Sequence, residues 1–141
     1  IFQDFRLLPE LNVEEQIQFV LTVTGRPKKM IKERTYSALS EVGLLHKSKS
    51  MPHELSGGEA QRVAIARAMA NYPKIILADE PTGNLDPSAT EDVMKYLFKI
   101  NRMGTAVIMA THNIDLVEEN PKRTIEIDNG RIIADIKRGQ R

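Results

Sequence analysis

The chain has 141 residues, of which 41% are hydrophobic and 28% are charged, as is typical of a globular domain with a modest core. Its 20 basic and 19 acidic residues leave a net charge of +1, which argues against nucleic acid as a partner. Cysteine is absent, which excludes disulfides and thiolate metal sites, and no apolar run is long enough to span a bilayer.

The amino-terminal part of the chain predicts helices. The opening stretch IFQDF is typical of the end of a strand, as if the sequence began inside a sheet. Residues 11–23 predict a helix that Asn12 caps and that ends before Gly25 and Pro27. A second helix is predicted from Pro27 to about Gly43, and the polar residues 46–54 predict a loop. Because no strand separates these helices, we expect a helical subdomain over about residues 4–54.

The stretch HELSGGEAQR, residues 53–62, places two glycines at the start of a third helix. In a structural interpretation, Ser56 is the N-cap and Glu59 completes a capping box. In a functional one, the glycines leave backbone N–H groups open to an anion, which the helix dipole also favours. Both can hold at once. The helix, predicted to run from Gly57 to about Asn71, is apolar nearly all round and should be buried.

Strands and helices alternate in the second half of the chain. Residues 74–79 and 104–111 are apolar runs that predict parallel strands covered on both faces. Helices are predicted from Pro87 to Met103 and from near Asn113, followed by a hairpin over residues 123–136 that turns at Asn129 and Gly130. The order predicts an α/β fold with a parallel sheet core and a C-terminal β-hairpin.

Two carboxylates end the first of these strands. Ligands of open parallel sheets bind at the carboxyl ends of the strands. Asp79 is therefore placed to hold Mg²⁺ or its water shell, since hard cations take oxygen ligands. Glu80 could orient or polarise an attacking water. The alternative is a strand that simply ends in solvent.

Other candidate residues are weaker when taken singly. His112 follows the second strand and could donate to a γ-phosphate, or it could lie incidentally beside Asn113 as a helix cap. Asp86 is suited to cap the helix that starts at Pro87, after a tight turn in PTGNLDP. The amide of Gln3 could ligate a metal or meet a phosphate-bound water.

Five short stretches resemble, in the same order, the motifs of ATP-binding-cassette (ABC) ATPases. They are FQ for the Q-loop, LSGGE with QR for the signature motif, IILADEP for the Walker B strand, NLD for the D-loop and TH for the switch histidine. The resemblance covers essentially the whole chain. It implies a partial P-loop NTPase fold of ABC type over residues 1–141, with 55–141 in the α/β core and with ATP and Mg²⁺ as cofactors. The implied roles are metal contact by Asp79 and Gln3, catalysis by Glu80 and His112, and nucleotide contact by Gln3, Ser56, Gly57, Gly58, Glu59 and Asp86.

The resemblance also implies partners. In this family the Ser-Gly-Gly helix start faces ATP held by the other subunit of a head-to-tail dimer. FQDFRLLPELNVEE, VTGRP and ILADEPTGNLDP are similar to the branch that acts in cell division, lipoprotein release and macrolide export. That branch implies a membrane-embedded partner subunit, docked on residues 4–24, and a peripheral location at the cytoplasmic face of the membrane.

One motif of the family does not occur in these residues. The Walker A loop, G-x-x-x-x-G-K-[ST], cradles the β- and γ-phosphates, and without it we expect this chain alone not to hydrolyse ATP. The chain is then either the larger, carboxyl-terminal part of an ATPase subunit or a truncated module that lends its signature face to an intact one. A coiled-coil chromosome-maintenance ATPase is excluded, because only 53 positions without sustained heptads separate Gln3 from Ser56.

Overall fold

The computed structural model describes residues 1–137, so the last four residues of the predicted domain lie outside the described residues. The chain divides into two compact units, residues 1–110 and 111–141. The predicted boundary between a helical subdomain and the α/β core falls inside the first unit, where it stays a prediction.

The first unit contains four helices and two strands among its described residues. In chain order they are α1 (Val13–Val23), α2 (Lys28–Glu41), α3 (Gly57–Met69), β1 (Ile75–Asp79), α4 (Pro87–Arg102) and β2 (Ala106–Ala110). The predicted loop over residues 46–54 instead contains two short 3-10 turns, Leu45–Lys47 and Pro52–Glu54.

Local capping explains where the helices start. Asn12 Oδ1 accepts a hydrogen bond from the Glu15 N–H at 3.0 Å, and the Glu15 carboxylate accepts from the Asn12 N–H at 2.8 Å, which completes a capping box. Gly25, with φ of +74°, follows the end of α1 in the left-handed conformation that suits glycine. The predicted helices of this unit are therefore confirmed within a few residues at each end.

The two strands form a parallel pair in register from Ile75 opposite Ala106 to Asp79 opposite Ala110. Burial alternates along β1, because successive side chains point to opposite faces. Ile76 and Ala78 are buried, whereas Leu77 is 65% exposed. The prediction that both faces are covered is therefore wrong for the described residues, in which only one face of β1 is buried.

The residues before Gln3 lie along β1. Ile1 donates its N–H to the Leu77 oxygen at 2.8 Å, and the Asp79 N–H donates to the Ile1 oxygen at 2.9 Å. This is the hydrogen-bond pattern of a parallel bridge. Residues 1–5 contain no assigned strand, so the predicted strand end is reduced to this one bridge.

The core of the first unit surrounds α3, which packs against α1, α2 and α4. Val63 and Ile65 on this helix are fully buried, together with Ile17 of α1 and Val93 of α4. Burial around the whole helix confirms the prediction made from its apolar composition. The helix therefore reaches from the core to the glycines at its exposed start.

The second unit contains α5 (Ile114–Glu119) and the antiparallel strands β3 (Thr124–Asp128) and β4 (Arg131–Ile136). Asn129 and Gly130 both have positive φ, 47° and 74°, as a type I′ hairpin turn requires. The predicted hairpin is confirmed. None of the helices found within residues 1–137 is both long and apolar enough to cross a membrane.

Candidate functional site

The start of α3 is a complete capping box. Ser56 Oγ accepts from the Glu59 N–H at 3.2 Å, and the Glu59 carboxylate accepts from the Ser56 N–H at 2.9 Å. This bond lowers the pKa of Glu59, an effect that nearby Lys47 supports. The structural interpretation of Ser56 and Glu59 is confirmed. Because helix geometry gives the first amides no intrahelical acceptor, the functional interpretation stays open beside it.

The two glycines of α3 are packed closely against other segments. A Cβ on Gly58 would lie 2.9 Å from Ala89 Cβ in the first turn of α4. A Cβ on Gly57 would lie 3.3 Å from Leu85 Cδ2 and 3.7 Å from Phe5 Cζ. The helix start is thus seated between the loop before α4 and the segment that follows Gln3.

The carboxylates at the end of β1 lie in different backbone conformations. Asp79 is the last strand residue and is exposed. Glu80 has φ of +44°, an unfavourable region for a residue with a side chain. Its N–H donates to the Ala110 oxygen at 2.9 Å and its oxygen accepts from the Gly83 N–H at 3.1 Å. These bonds hold Glu80 at the carboxyl end of both strands, where strained residues often serve function.

Gln3 contacts the loop between β1 and α4. Its Nε2 donates to Asn84 Oδ1 at 3.1 Å, and Asn84 Nδ2 donates to the Gln3 main-chain oxygen at 3.4 Å. A Cβ on Gly83 would lie 2.6 Å from Gln3 Nε2. Gly83 does not have a positive φ, so its lack of a side chain serves this close approach rather than a special turn conformation. The sequence predicted the turn but not its contact with Gln3.

Gln61 of α3 joins the same two segments from the interior. The side chain is fully buried, and its Nε2 donates to the main-chain oxygens of Phe2, at 3.2 Å, and Pro81. Gln61 was not among the site residues predicted from the sequence. The helix was predicted to be buried, and a buried amide side chain needs hydrogen-bond partners. The sequence therefore contained an indication that Gln61 contacts another segment.

Arg67 of α3 holds the residues after Gln3. Its guanidinium donates to the main-chain oxygens of Arg6 at 2.8 Å and Phe5 at 3.0 Å. Both of these residues have positive φ, 61° at Phe5 and 47° at Arg6. A planar guanidinium fixes such a turn because its donors are held in one rigid group. This contact was not predicted from the sequence either.

Asp86 and His112 lie at helix starts. Asp86 Oδ1 accepts from the Ala89 N–H at 3.0 Å, so the predicted cap of α4 is confirmed. His112 belongs to the second unit and is exposed, and the adjacent Asn113 caps α5 by accepting from the Leu116 N–H at 3.0 Å. The structure thus brings Gln3, the start of α3 and the loop after Glu80 together within the first unit. The role of His112 stays a prediction.

The chain is similar to ATP-binding proteins of known families. A family model described as ABC transporter matches residues 1–83. The chain is 50% identical to the cell division ATP-binding protein FtsE of Bacillus subtilis and 49% identical to that of Streptococcus pneumoniae, in each case over 99% of this chain. It is 48% identical to the lipoprotein-releasing system ATP-binding protein LolD of Aquifex aeolicus over 98% of this chain. The chain spans about 61% of the length of these relatives.

Solved structures give the same result for the fold. One is a dimeric ATP-binding cassette in a post-hydrolysis state bound to ADP and phosphate, with a TM-score of 0.80 and 36% identity over 96% of this chain and 61% of that one. Another is cbiO1 of Clostridium perfringens, part of an ABC transporter complex, with a TM-score of 0.86 and 33% identity over 96% of this chain and 55% of that one.

Proposed function

The chain belongs to the ABC transporter family, and we propose that it supplies the signature, Walker B and switch-histidine part of an ATP-hydrolysing subunit that acts in cell division. The observation that carries this proposal is the convergence of three motifs within the first unit. Gln3 is bonded to Asn84 of the D-loop, while Gly57 of the signature helix lies against Leu85 of the same loop. Motifs far apart in the sequence thus form one surface.

We propose that the start of α3 contacts the nucleotide of a second subunit in a head-to-tail dimer. Ser56, Gly57 and Gly58 present the amides and hydroxyl of a helix start, where the dipole favours phosphate. Glu59 contributes to this contact by fixing Ser56 through the capping box. Asp86 contributes at the edge of the same surface, since it starts the helix on which Gly58 packs.

The donor atoms near β1 fit Mg²⁺ with ATP. Asp79 supplies an exposed carboxylate and Gln3 an amide oxygen, the hard donors that Mg²⁺ prefers. Within residues 1–137 no cluster of three or more His, Asp or Glu could hold a metal alone. Mg²⁺ commonly keeps several waters and takes phosphate oxygens as further ligands, so that one or two protein donors are enough. When bound with ATP, it would neutralise charge on the phosphates.

For hydrolysis we propose two catalytic residues. Glu80 orients and polarises the attacking water, and its unfavourable φ supports a functional reason for its conformation. His112 donates a hydrogen bond to the γ-phosphate. Since residues 1–141 contain no Walker A loop, hydrolysis needs one that these residues do not supply.

The partner in this proposal is a membrane-embedded, FtsX-like subunit that docks on residues 4–24, which would place the complex at the cytoplasmic face of the inner membrane. This segment exposes Phe19 and Val23 on α1, at 50% and 64% of their surface. Phe5 and Leu7 of the same segment line a groove together with Leu55, among others. Exposed apolar side chains are a surface to which another protein can bind.

Two other functions have support. Identity to LolD favours an ATPase of the lipoprotein-release or macrolide-export type. The capped start of α3, with Ser56 and the two glycines, is also compatible with a module that lends its signature face to an intact subunit. In the second case residues 56–58 contact the nucleotide of the intact subunit, while Glu80 has no phosphate bound by its own chain to act upon.

The test is a chimaera in which residues 1–141 replace the matching region of FtsE from Bacillus subtilis. We expect Mg²⁺-dependent ATP hydrolysis, with kcat reduced at least about 100-fold by Glu80→Gln while ATP binding is retained, as loss of a general base predicts. Glu119→Gln, an exposed glutamate of α5, is the matched control and should leave kcat within about twofold. A chimaera without hydrolysis, or a Glu80→Gln variant as fast as the parent, would contradict the proposal.

The isolated chain separates the alternatives. Calorimetric titration of the 141-residue chain with Mg-ATP should give no saturable heat, and saturable binding at micromolar ATP would show that phosphates are held without a Walker A loop. Addition of the chain to an intact relative with a disabled signature serine tests the lending role. Restored hydrolysis that is lost again with Ser56→Arg would support that role.

A further inference from the structure

We propose that Asn84 is a positioning residue that orients the Gln3 side chain for the cation bound with ATP. This inference rests on the proposed function, because it assumes that Gln3 faces the cation there. Asn84 lies 81 positions after Gln3 in the chain and contacts it twice, once through each side-chain atom that can form a hydrogen bond.

The direction of these bonds decides which atom of Gln3 is available. Asn84 Oδ1 accepts from Gln3 Nε2 at 3.1 Å. Because the amide nitrogen is thus engaged, the oxygen Oε1 is the atom left for a cation, and only that atom can ligate one. The second bond, from Asn84 Nδ2 to the Gln3 main-chain oxygen at 3.4 Å, fixes the backbone from which the side chain extends.

The surroundings make this orientation specific. Gly83 leaves room that a Cβ would remove, since it would lie 2.6 Å from Gln3 Nε2 and 3.0 Å from Cδ. The buried Gln61 side chain donates hydrogen bonds to the main-chain oxygens of Phe2, next to Gln3, and of Pro81, in the loop that contains Gly83. Ile1 forms backbone hydrogen bonds with Leu77 and Asp79 of β1, and Gln3 follows Ile1 by two positions in the chain. The segment that carries Gln3 is therefore bonded both to the loop before α4 and to the strand that ends in Asp79, the other proposed metal ligand.

The experiment compares Asn84→Leu, which has a similar volume and no hydrogen bonds, with the parent chimaera. At saturating ATP we expect the Mg²⁺ concentration for half-maximal hydrolysis to rise about 3- to 10-fold, because both hydrogen bonds to Gln3 are lost and solvent can replace them in part. The kcat at saturating Mg²⁺ should stay within about twofold, because Asn84 touches no reacting atom. Gly83→Ala should raise the Mg²⁺ requirement by a separate route, through displacement of the Gln3 amide.

A second readout does not depend on hydrolysis. In the nucleotide-free 141-residue chain, the Gln3 side-chain amide resonance should be protected from solvent exchange. Asn84→Asp, which keeps an acceptor for Nε2, should retain this protection, whereas Asn84→Leu should lose it. Asn101→Ala, which removes a side-chain hydrogen bond to Thr105 at the other end of α4, is the matched control and should change neither readout.

The outcomes are distinguishable. An active chimaera in which Asn84→Leu leaves both the Mg²⁺ requirement and the Gln3 resonance unchanged overturns the inference alone. An inactive chimaera overturns the proposed function, and the resonance of Gln3 in the free chain then still decides whether Asn84 orients it. A uniform loss of kcat with an unchanged Mg²⁺ requirement would assign Asn84 a structural role and would also overturn the inference.

Discussion

The side chain of Gln61 donates a hydrogen bond to the main-chain oxygen of Phe2 at 3.2 Å, although the two residues are 59 positions apart. The same nitrogen donates to the oxygen of Pro81. The other amide atom, Oε1, has no hydrogen-bond partner among the residues that the structure describes. A single buried residue of α3 therefore connects the segments that carry Gln3 and Glu80.

The first prediction concerns this connection. Gln61→Leu should lower the free energy of unfolding by about 1–2 kcal/mol, because two carbonyl groups lose their hydrogen-bond donor. Removal of the unpaired acceptor Oε1 offsets part of this loss. Urea unfolding measures the change. Gln18→Leu on α1 is the control and should stay within about 0.5 kcal/mol of the parent. Equal stability of the Gln61→Leu variant and the parent would rule out an energetic role for these bonds.

The second prediction separates the two glycines of the signature helix. Alanine is favoured over glycine inside a helix by about 1 kcal/mol, so an unhindered replacement should stabilise the chain. At Gly58 the added Cβ would lie 2.9 Å from Ala89 Cβ, which must shift, whereas at Gly57 it meets the end of the flexible Leu85 side chain at 3.3 Å. We expect Gly58→Ala to be less stable than Gly57→Ala by at least about 1 kcal/mol. Thermal and urea unfolding of the pair test this order.

The third prediction is a pH dependence at Glu59. Its hydrogen bond from the Ser56 N–H lowers the pKa below the ordinary value of 4.5. A carboxyl with a lower pKa in the folded state stabilises the fold fully above its unfolded pKa, and this stabilisation is lost as the pH falls through the folded pKa. The stability difference between the parent and Glu59→Gln should therefore be largest near neutral pH and shrink below about pH 4.5.

Unfolding in urea between pH 3 and pH 7 measures this difference. Glu10→Gln, an exposed glutamate outside α3, corrects for the loss of one negative charge. A difference that grew as the pH fell would mean that the charge on Glu59 destabilises the capping box.

The fourth prediction concerns the strained turn that Arg67 holds. Arg67→Lys replaces two guanidinium bonds, to the oxygens of Phe5 and Arg6, with those of a smaller ammonium group. A loss of about 1.4 kcal/mol in local stability would raise tryptic cleavage after Arg6 about tenfold. Arg62→Lys, whose parent residue donates to the Val42 oxygen from the same helix, is the matched control. Equal cleavage rates in both variants would show that Arg67 does not hold the turn.

Secondary structure was predictable because the interactions that start and end its elements are local. Asn12, Ser56 and Asp86 each bond an amide three residues further along the chain, and residue type and spacing are enough to identify such caps. The Asn129-Gly130 turn is similar, since its two positive φ values suit those residues. The burial of β1 was predicted wrongly, because an apolar run does not reveal which faces of a strand are covered.

Residue identity and short spacings were sufficient to identify the helices and the hairpin, and the family was indicated by the resemblance of five short motifs. They did not indicate that Gln3 meets Asn84, that Gln61 reaches Phe2 and Pro81, or that Gly83 leaves room for an amide. These contacts join residues that the packing of β1, α3 and the loop before α4 brings together. Local propensities carry no information about partners so distant in the chain, and for that reason the candidate site emerged from the fold.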